Sequence, residues 1–327
     1  MLTINNLTVR KLSKFGEINI LENLNFEVKK GQSLGVVGES GCGKSIMALT
    51  IMRLLPNNME ASGEINLENN ILKLSEKEFC KIRGNRIGMI FQEPMNALNP
   101  VMSIGSQVSE SLKIHKKITN HQAEKEAAKI LERVGLPKYK FPLSIFPHQL
   151  SGGQRQRVVV AIAIACKPEI IIADEPTTSL DVTIQAQILG LLSEFVFEEK
   201  MSLILITHDL GIVAQNTDQM LVMYGGRIVE KGDTQKVFKS LSHPYTKGLF
   251  DSIPNVEKII KQKKSNKSDT SIERFKTIPG RVPEFHERSD GCYFKDRCYS
   301  AKQKCSDEFP IEREIGTGHF VSCFYPN

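Results

Sequence analysis

Eight residues from Gly38 to Ser45, "GESGCGKS", have the spacing G-x-x-x-x-G-K-[ST] of a phosphate-binding loop. Gly38, Gly41 and Gly43 let the backbone curl so that loop N–H groups, with Ser40, Cys42 and Ile46 in the same stretch, point at phosphate oxygens beside a helix N-terminus. Lys44 would reach the β- and γ-phosphates as a compact charge, and the Ser45 hydroxyl would take a Mg²⁺ position. Further on, Asp174 and Glu175 end the apolar run "IIIADE". There Asp174 can hold Mg²⁺ through its water shell, and Glu175 can orient or deprotonate an attacking water. The chemistry these groups imply is in-line attack of water on a γ-phosphate, with positioning and charge neutralisation supplying most of the acceleration and no covalent enzyme intermediate.

Cysteine makes a second cluster. Four of the seven, Cys292, Cys298, Cys305 and Cys323, fall within residues 292–327. Their spacing, C-x₅-C-x₆-C-x₁₇-C, differs from the paired C-x₂-C knuckles of most zinc ribbons. Cys42, Cys80 and Cys166 read as ordinary buried or loop thiols.

Positioning such groups requires strands that end at one edge. Leu34–Val37 is a short apolar run before the glycine-rich turn, and Met47, Ile51, Leu54 and Leu55 then recur at helical spacing until Pro56. "EIIIADEP" and "SLILITHD" are apolar runs ended by polar residues, as buried parallel strands are. Between them Ile184, Ile188, Leu191, Leu192 and Phe195 share one helical face, which completes a βαβ unit. Residues 96–160 read as mainly helical, with Ala123, Ala127, Ile130, Leu131 and Val134 forming a stripe stopped by Gly135 and Pro137. "MLVMYGGRIVEKG" reads as two strands joined at Gly225–Gly226.

At 327 residues, 40% apolar and 24% charged, the chain reads as soluble and globular. Its longest apolar stretch, Val158 to Cys166, is half the length needed to cross a bilayer, and the first residues lack the apolar centre of a signal peptide. A cytosolic protein is expected, reaching a membrane only through a partner. The net charge of +6 is concentrated in residues 257–276, a polar run that reads as a solvated linker rather than a nucleic-acid patch.

"LSGGQRQR", Leu150 to Arg157, matches the signature of ATP-binding-cassette (ABC) ATPases. "FQEP" with Gln92, "IIIADEP", "SLD" ending at Asp181 and "ITHD" with His208 follow in that family's order, and the resemblance covers roughly residues 1–250. It implies an α/β P-loop fold with a RecA-like core, an antiparallel β-subdomain and a helical subdomain at about 96–160. Ser151, Gly152, Gly153 and Gln154 of the signature would face ATP held by the phosphate loop of a second cassette, closing two nucleotides into a dimer. The same resemblance implies that Gln92 touches Mg²⁺ and reports to a membrane partner, that Asp181 works at the dimer interface and that His208 contacts the γ-phosphate. Phe15 is the candidate for stacking on adenine.

A single cassette with full motifs is similar to the detached ATPase subunits of bacterial importers. "HPYTKGLF" at 243–250, "IPGRVP" at 278–283 and "GCYFKDRC" at 291–298 resemble the C-terminal extension of oligopeptide/dipeptide-type importer ATPases, an extension shared with nickel and metallophore importers. Residues 1–250 are thus expected to be the cassette, 251–276 a basic linker, and 277–327 a small metal-stapled extension. The implied partners are a homologous or identical ATPase, two permeases and an extracytoplasmic binding protein, at the cytoplasmic face of the plasma membrane. For the four cysteines this resemblance implies a 4Fe-4S cluster, with structural zinc and four unliganded thiols as alternatives. The rival class is a non-transport ABC ATPase acting on nucleic acid, although no nucleic-acid partner is expected.

Overall fold

The computed structural model describes residues 1–13, 16–93, 97–178, 180–253, 277–288 and 290–327. The linker, apart from Asp251 to Ile253, and the adenine candidate Phe15 lie outside the described residues.

Two sheets organise the chain. The smaller is antiparallel, in the order β2-β1-β4-β5, and is built from β1 (Leu2–Ser13), β2 (Gly16–Val28), β4 (Met59–Leu67) and the two-residue β5 (Asn69–Asn70). The larger has the order β11-β12-β10-β9-β3-β8-β7-β6. Its parallel part comprises β6 (Ile87–Ile90), β7 (Ile170–Asp174), β8 (Ser202–Ile206), β3 (Ser33–Val37) and β9 (Gln219–Tyr224). Every residue of β3, β6, β7 and β8 is buried, which is why these strands read as unbroken apolar runs. Leu34 pairs with Ile204 and Ile172 with the same Ile204, so Val37, Asp174 and Ile206 finish at a common edge. Ligand-binding loops leave a parallel sheet from this edge.

The phosphate-loop helix, Lys44–Ile51, is shorter than the sequence pattern suggests. Met52 caps it and Arg53 takes φ of 51°, with its guanidinium donating to the carbonyls of Ile71 and Leu74 instead of leaving the chain to wind on to Pro56. The expected helical region contains Ile104–Lys116, Asn120–Arg133 and Gly152–Ile164. Thr119 and Gln122 cap the second of these reciprocally, and Ala123, Ala127 and Leu131 are its buried face. Between β9 and β10 (Arg227–Asp233), Gly225 and Gly226 both have positive φ, as a tight two-residue hairpin turn demands.

The C-terminal region is not a separate body. β11 (Arg313–Gly316) and β12 (His319–Val321) extend the large sheet, with Glu230 of β10 opposite Val321 and Lys231 opposite Phe320. Phe294 is buried among Val222, Tyr224 and Tyr245 of the cassette side, so this region borrows its core from the sheet it joins.

Candidate active site

Gly43 caps the phosphate-loop helix in the left-handed conformation, φ 104°, and Gly38 has φ of 155°. A methyl group at Gly38 would lie 2.3 Å from the Met223 carbonyl oxygen and 2.7 Å from Cys42 Sγ. The loop therefore sits directly on β9, with Cys42 packed beneath it and fully buried. Gly38→Ala is expected to weaken ATP binding at least about tenfold, equivalent to roughly 1.4 kcal/mol of loop distortion. A nucleotide titration checks this, and unchanged affinity would mean the loop accommodates the shift.

Lys44 is 6% exposed, and its ammonium donates to the carbonyls of Gly38 at 2.7 Å and Glu39 at 3.1 Å. The charge is thus held over the mouth of the loop. Burial raises the Asp174 carboxyl above the usual carboxylate range, opposed by a hydrogen bond with the Ser45 side chain. Its Oδ1 is buried with no hydrogen-bond partner. A dry carboxylate with one unused oxygen beside a serine hydroxyl fits a hard divalent cation, so Asp174 and Ser45 would hold Mg²⁺.

One position further, the strand ends and Glu175 turns to φ 45° while its N–H donates to the Ile206 carbonyl at 2.9 Å. This places its carboxylate outside the sheet edge. Oε2 accepts from Thr178 Oγ1 at 2.9 Å and from Gln92 Nε2 at 3.4 Å, and Oε1 lies 3.4 Å from Nδ1 of His208. Three motifs far apart in sequence thereby meet on one carboxylate. His208 has 68% of its side chain exposed against 16% for Glu175, so the histidine reaches outward while the carboxylate is sheltered. One oxygen of Glu175 is thus held by Thr178 and Gln92, and the other faces the exposed His208, the side from which water can approach.

Thr178 escaped the sequence reading, and so did Gln156, which is fully buried and donates to the Pro176 carbonyl at 2.6 Å. Gln156 belongs to the signature helix, so this bond ties that helix to the segment that follows Glu175. At the start of the helix, Ser151 Oγ accepts from the N–H of Gln154 while the Gln154 side chain accepts from the N–H of Ser151 at 2.9 Å. Ser151 and Gly152 are exposed, whereas Gly153 packs against Ile184. Asp181 caps the Val182–Glu199 helix by accepting from the Ile184 N–H at 2.9 Å.

Comparison with known proteins decides the family. Residues 21–178 match the ABC transporter family, and residues 229–305 match the C-terminal region of oligopeptide/dipeptide transporters. An oligopeptide transport ATP-binding protein of Bacillus subtilis is 41% identical over 99% of this chain and 96% of its own length. The chain belongs to the ABC transporter ATP-binding proteins. The oligopeptide transport ATP-binding protein of Escherichia coli is 40% identical over all of this chain and 93% of its own. Among solved structures, a dimeric ATP-binding cassette in a post-hydrolysis state with ADP and phosphate is 28% identical, with a TM-score of 0.64 over 72% of this chain and 99% of that one. As a member of this family the chain is an ATPase, and Gln92, Glu175 and His208 meet beside the strand edge that also ends in Asp174.

The four C-terminal thiols of this ABC ATPase are all free, and they border one small cavity together with His243 and Phe324. Burial pushes Cys292 and Cys323 up to about 11, so neutral thiols are the stable form unless a cation compensates. Among the described residues no three His, Cys, Asp or Glu side chains are gathered closely enough to hold a metal ion. The compact tetrahedral set that structural zinc needs, expected above as an alternative, is therefore not assembled.

Proposed function

We propose that this ABC ATPase powers the import of di- or oligopeptides. The observation that carries the reading is the match of residues 229–305 to the oligopeptide/dipeptide transporter C-terminal region, on a chain similar nearly end to end to oligopeptide transport ATP-binding proteins. The ATPase acts with a homologous or identical second cassette, because the exposed signature N-terminus at Ser151 and Gly152 offers an anion-binding surface to a nucleotide held by another subunit. Two permeases carry the solute and an extracytoplasmic binding protein delivers it. No helix among the described residues is long and apolar enough to cross a membrane, so attachment at the cytoplasmic face runs through those permeases.

In the reaction Lys44 and the loop N–H groups hold the phosphates, Glu175 takes the proton of the attacking water, and His208 and Gln92 confine that water between themselves and the γ-phosphate. Mg²⁺ held by Asp174 and Ser45, with Gln92 at its edge, would neutralise charge on the phosphate oxygens. We further infer that Cys292, Cys298, Cys305 and Cys323 hold a 4Fe-4S cluster. Their shared cavity supports it, and a four-iron cluster accepts thiolates set wider apart than a single zinc ion does.

Purification of the assembled complex, with mass spectrometry of the ligand on its binding protein, tests the import reading. A peptide is expected, together with turnover that depends on the permeases. A nickel chelate or metallophore would replace the substrate class. Turnover driven instead by nucleic acid, with a steep salt dependence, would remove transport altogether.

A further inference from the structure

Glu39 is the second residue of the phosphate loop, and its side chain points away from the phosphates into the C-terminal region. Arg297 grips that carboxylate with two bonds, Nη1 to Oε2 at 2.6 Å and Nη2 to Oε1 at 2.9 Å. The guanidinium has little freedom of its own. Its side chain is 5% exposed, Nε donates to the Pro279 carbonyl at 2.7 Å, and Nη1 also reaches the Tyr224 hydroxyl at 3.3 Å.

Glu39 is held from a second direction. Its N–H donates to the hydroxyl of Tyr245 at 2.8 Å, and Tyr245 is fully buried, its ring 4.7 Å from that of Tyr224 and 5.3 Å from that of Phe294. The Glu39 carbonyl in turn accepts from the Lys44 ammonium at 3.1 Å and from the Cys42 N–H at 3.3 Å. One loop residue thus has its carboxylate fixed by the C-terminal region and its N–H by Tyr245, against which that region packs, while its carbonyl orients the phosphate-binding lysine.

We propose that Arg297 and Tyr245 are positioning residues for ATP binding: acting through Glu39, they set the curvature of the phosphate loop and the direction of Lys44. Lys44 is also held by the Gly38 carbonyl at 2.7 Å, independently of Glu39, so the brace tunes affinity rather than creating it. Arg297 is suited to the task because its planar fork matches a carboxylate in two bonds, which a lysine ammonium cannot do. The segment that presents it is itself rigid, since Cys298 N–H donates to the Lys295 carbonyl and Arg297 N–H to that of Phe294. This inference rests on the ATPase activity alone and does not depend on which solute is carried.

The test is made on the assembled transporter, with KM for MgATP, kcat and the melting temperature measured for Glu39→Gln, Arg297→Ala, Arg297→Lys, Tyr245→Phe and the double variant Glu39→Gln/Arg297→Ala. Loss of a charge-assisted contact to the loop is expected to raise KM on the order of tenfold in Glu39→Gln and Arg297→Ala, with kcat within about twofold. The double variant should be no worse than either single one, because both remove the same link, and Arg297→Lys should restore only part of the affinity. Glu39→Gln keeps the shape of a partly exposed side chain, so it and Tyr245→Phe carry the test if Arg297→Ala does not fold. A lowered melting temperature with unchanged KM would reduce the pair to a docking contact and overturn the proposal. Additive losses in the double variant would overturn it equally, by showing that the two residues act separately.

Discussion

Replacing Glu175 with glutamine lowers ATP turnover by roughly 10²–10⁴-fold while leaving ATP binding nearly intact. The amide keeps the size of the side chain and can still meet Thr178 and Gln92, so the pocket is preserved. What disappears is the oxygen that faces His208 and can take a proton from water. Binding is expected to survive because the groups proposed to hold the phosphates, Lys44 and the loop from Gly38 to Ser45, come from a different stretch of chain. The measurement pairs phosphate release under saturating ATP with a nucleotide titration of the same preparation. A variant that hydrolyses at the normal rate would remove Glu175 from the role of base and leave water activation to His208. A variant that fails to bind would mean that the carboxylate shapes the loop, which its contacts do not suggest.

The parts of this site that could be read from sequence are those whose chemistry depends on consecutive residues. A phosphate loop has to be contiguous, because successive N–H groups converge on one anion, and the acidic pair has to follow a buried strand directly. Both stand in the chain where the pattern placed them, at the common edge of β3, β7 and β8. Thr178, Gln156, Glu39, Tyr245 and Arg297 could not be read in this way. Each acts through hydrogen bonds to a partner 3 to 258 residues away, and the residue type alone carries no such information. The antiparallel sheet is implied by the family resemblance, but its first strand is hidden from a reading of the residue pattern for another reason. In β1, Leu2 and Ile4 alternate inward, then Leu7 and Val9 do so one residue out of step, because the pairing shifts at Asn5 and Asn6, where Asn6 has φ of 50°. A bulge of this kind breaks period-two alternation in the sequence while preserving it in space, and reading the "NN" as an insertion would have recovered the strand. The C-terminal tail reads as a small separate element because a basic linker precedes it and its motifs resemble a known extension. Its apolar residues are too few for a core of their own, which is also why they pack against Tyr224 and Tyr245.

That docking changes what the cysteines have to do. A tail already paired to β10 through Val321 and Phe320 does not need a metal to stay attached, so a cluster would fix the local path of the chain between Cys292 and Cys323. Anaerobic purification is expected to give about four iron and four acid-labile sulfide per chain, with the broad visible absorption of a 4Fe-4S cluster. Cys298→Ser should lose the cluster entirely, since a missing ligand leaves one corner open to solvent. The same variant should keep the cassette folded and able to bind ATP, because β12 and the buried Phe294 are held by the sheet rather than by sulfur. Its affinity should fall only as far as Arg297, the residue before Cys298, loses its grip on Glu39. Stoichiometric zinc in place of iron would require the four thiols to close into a tighter set than the cavity now shows and would exclude redox chemistry there. Folded, ATP-binding protein with neither metal would leave four unliganded thiols, in keeping with the burial that raises Cys292 and Cys323, and would overturn the cluster while leaving the brace on the phosphate loop in place.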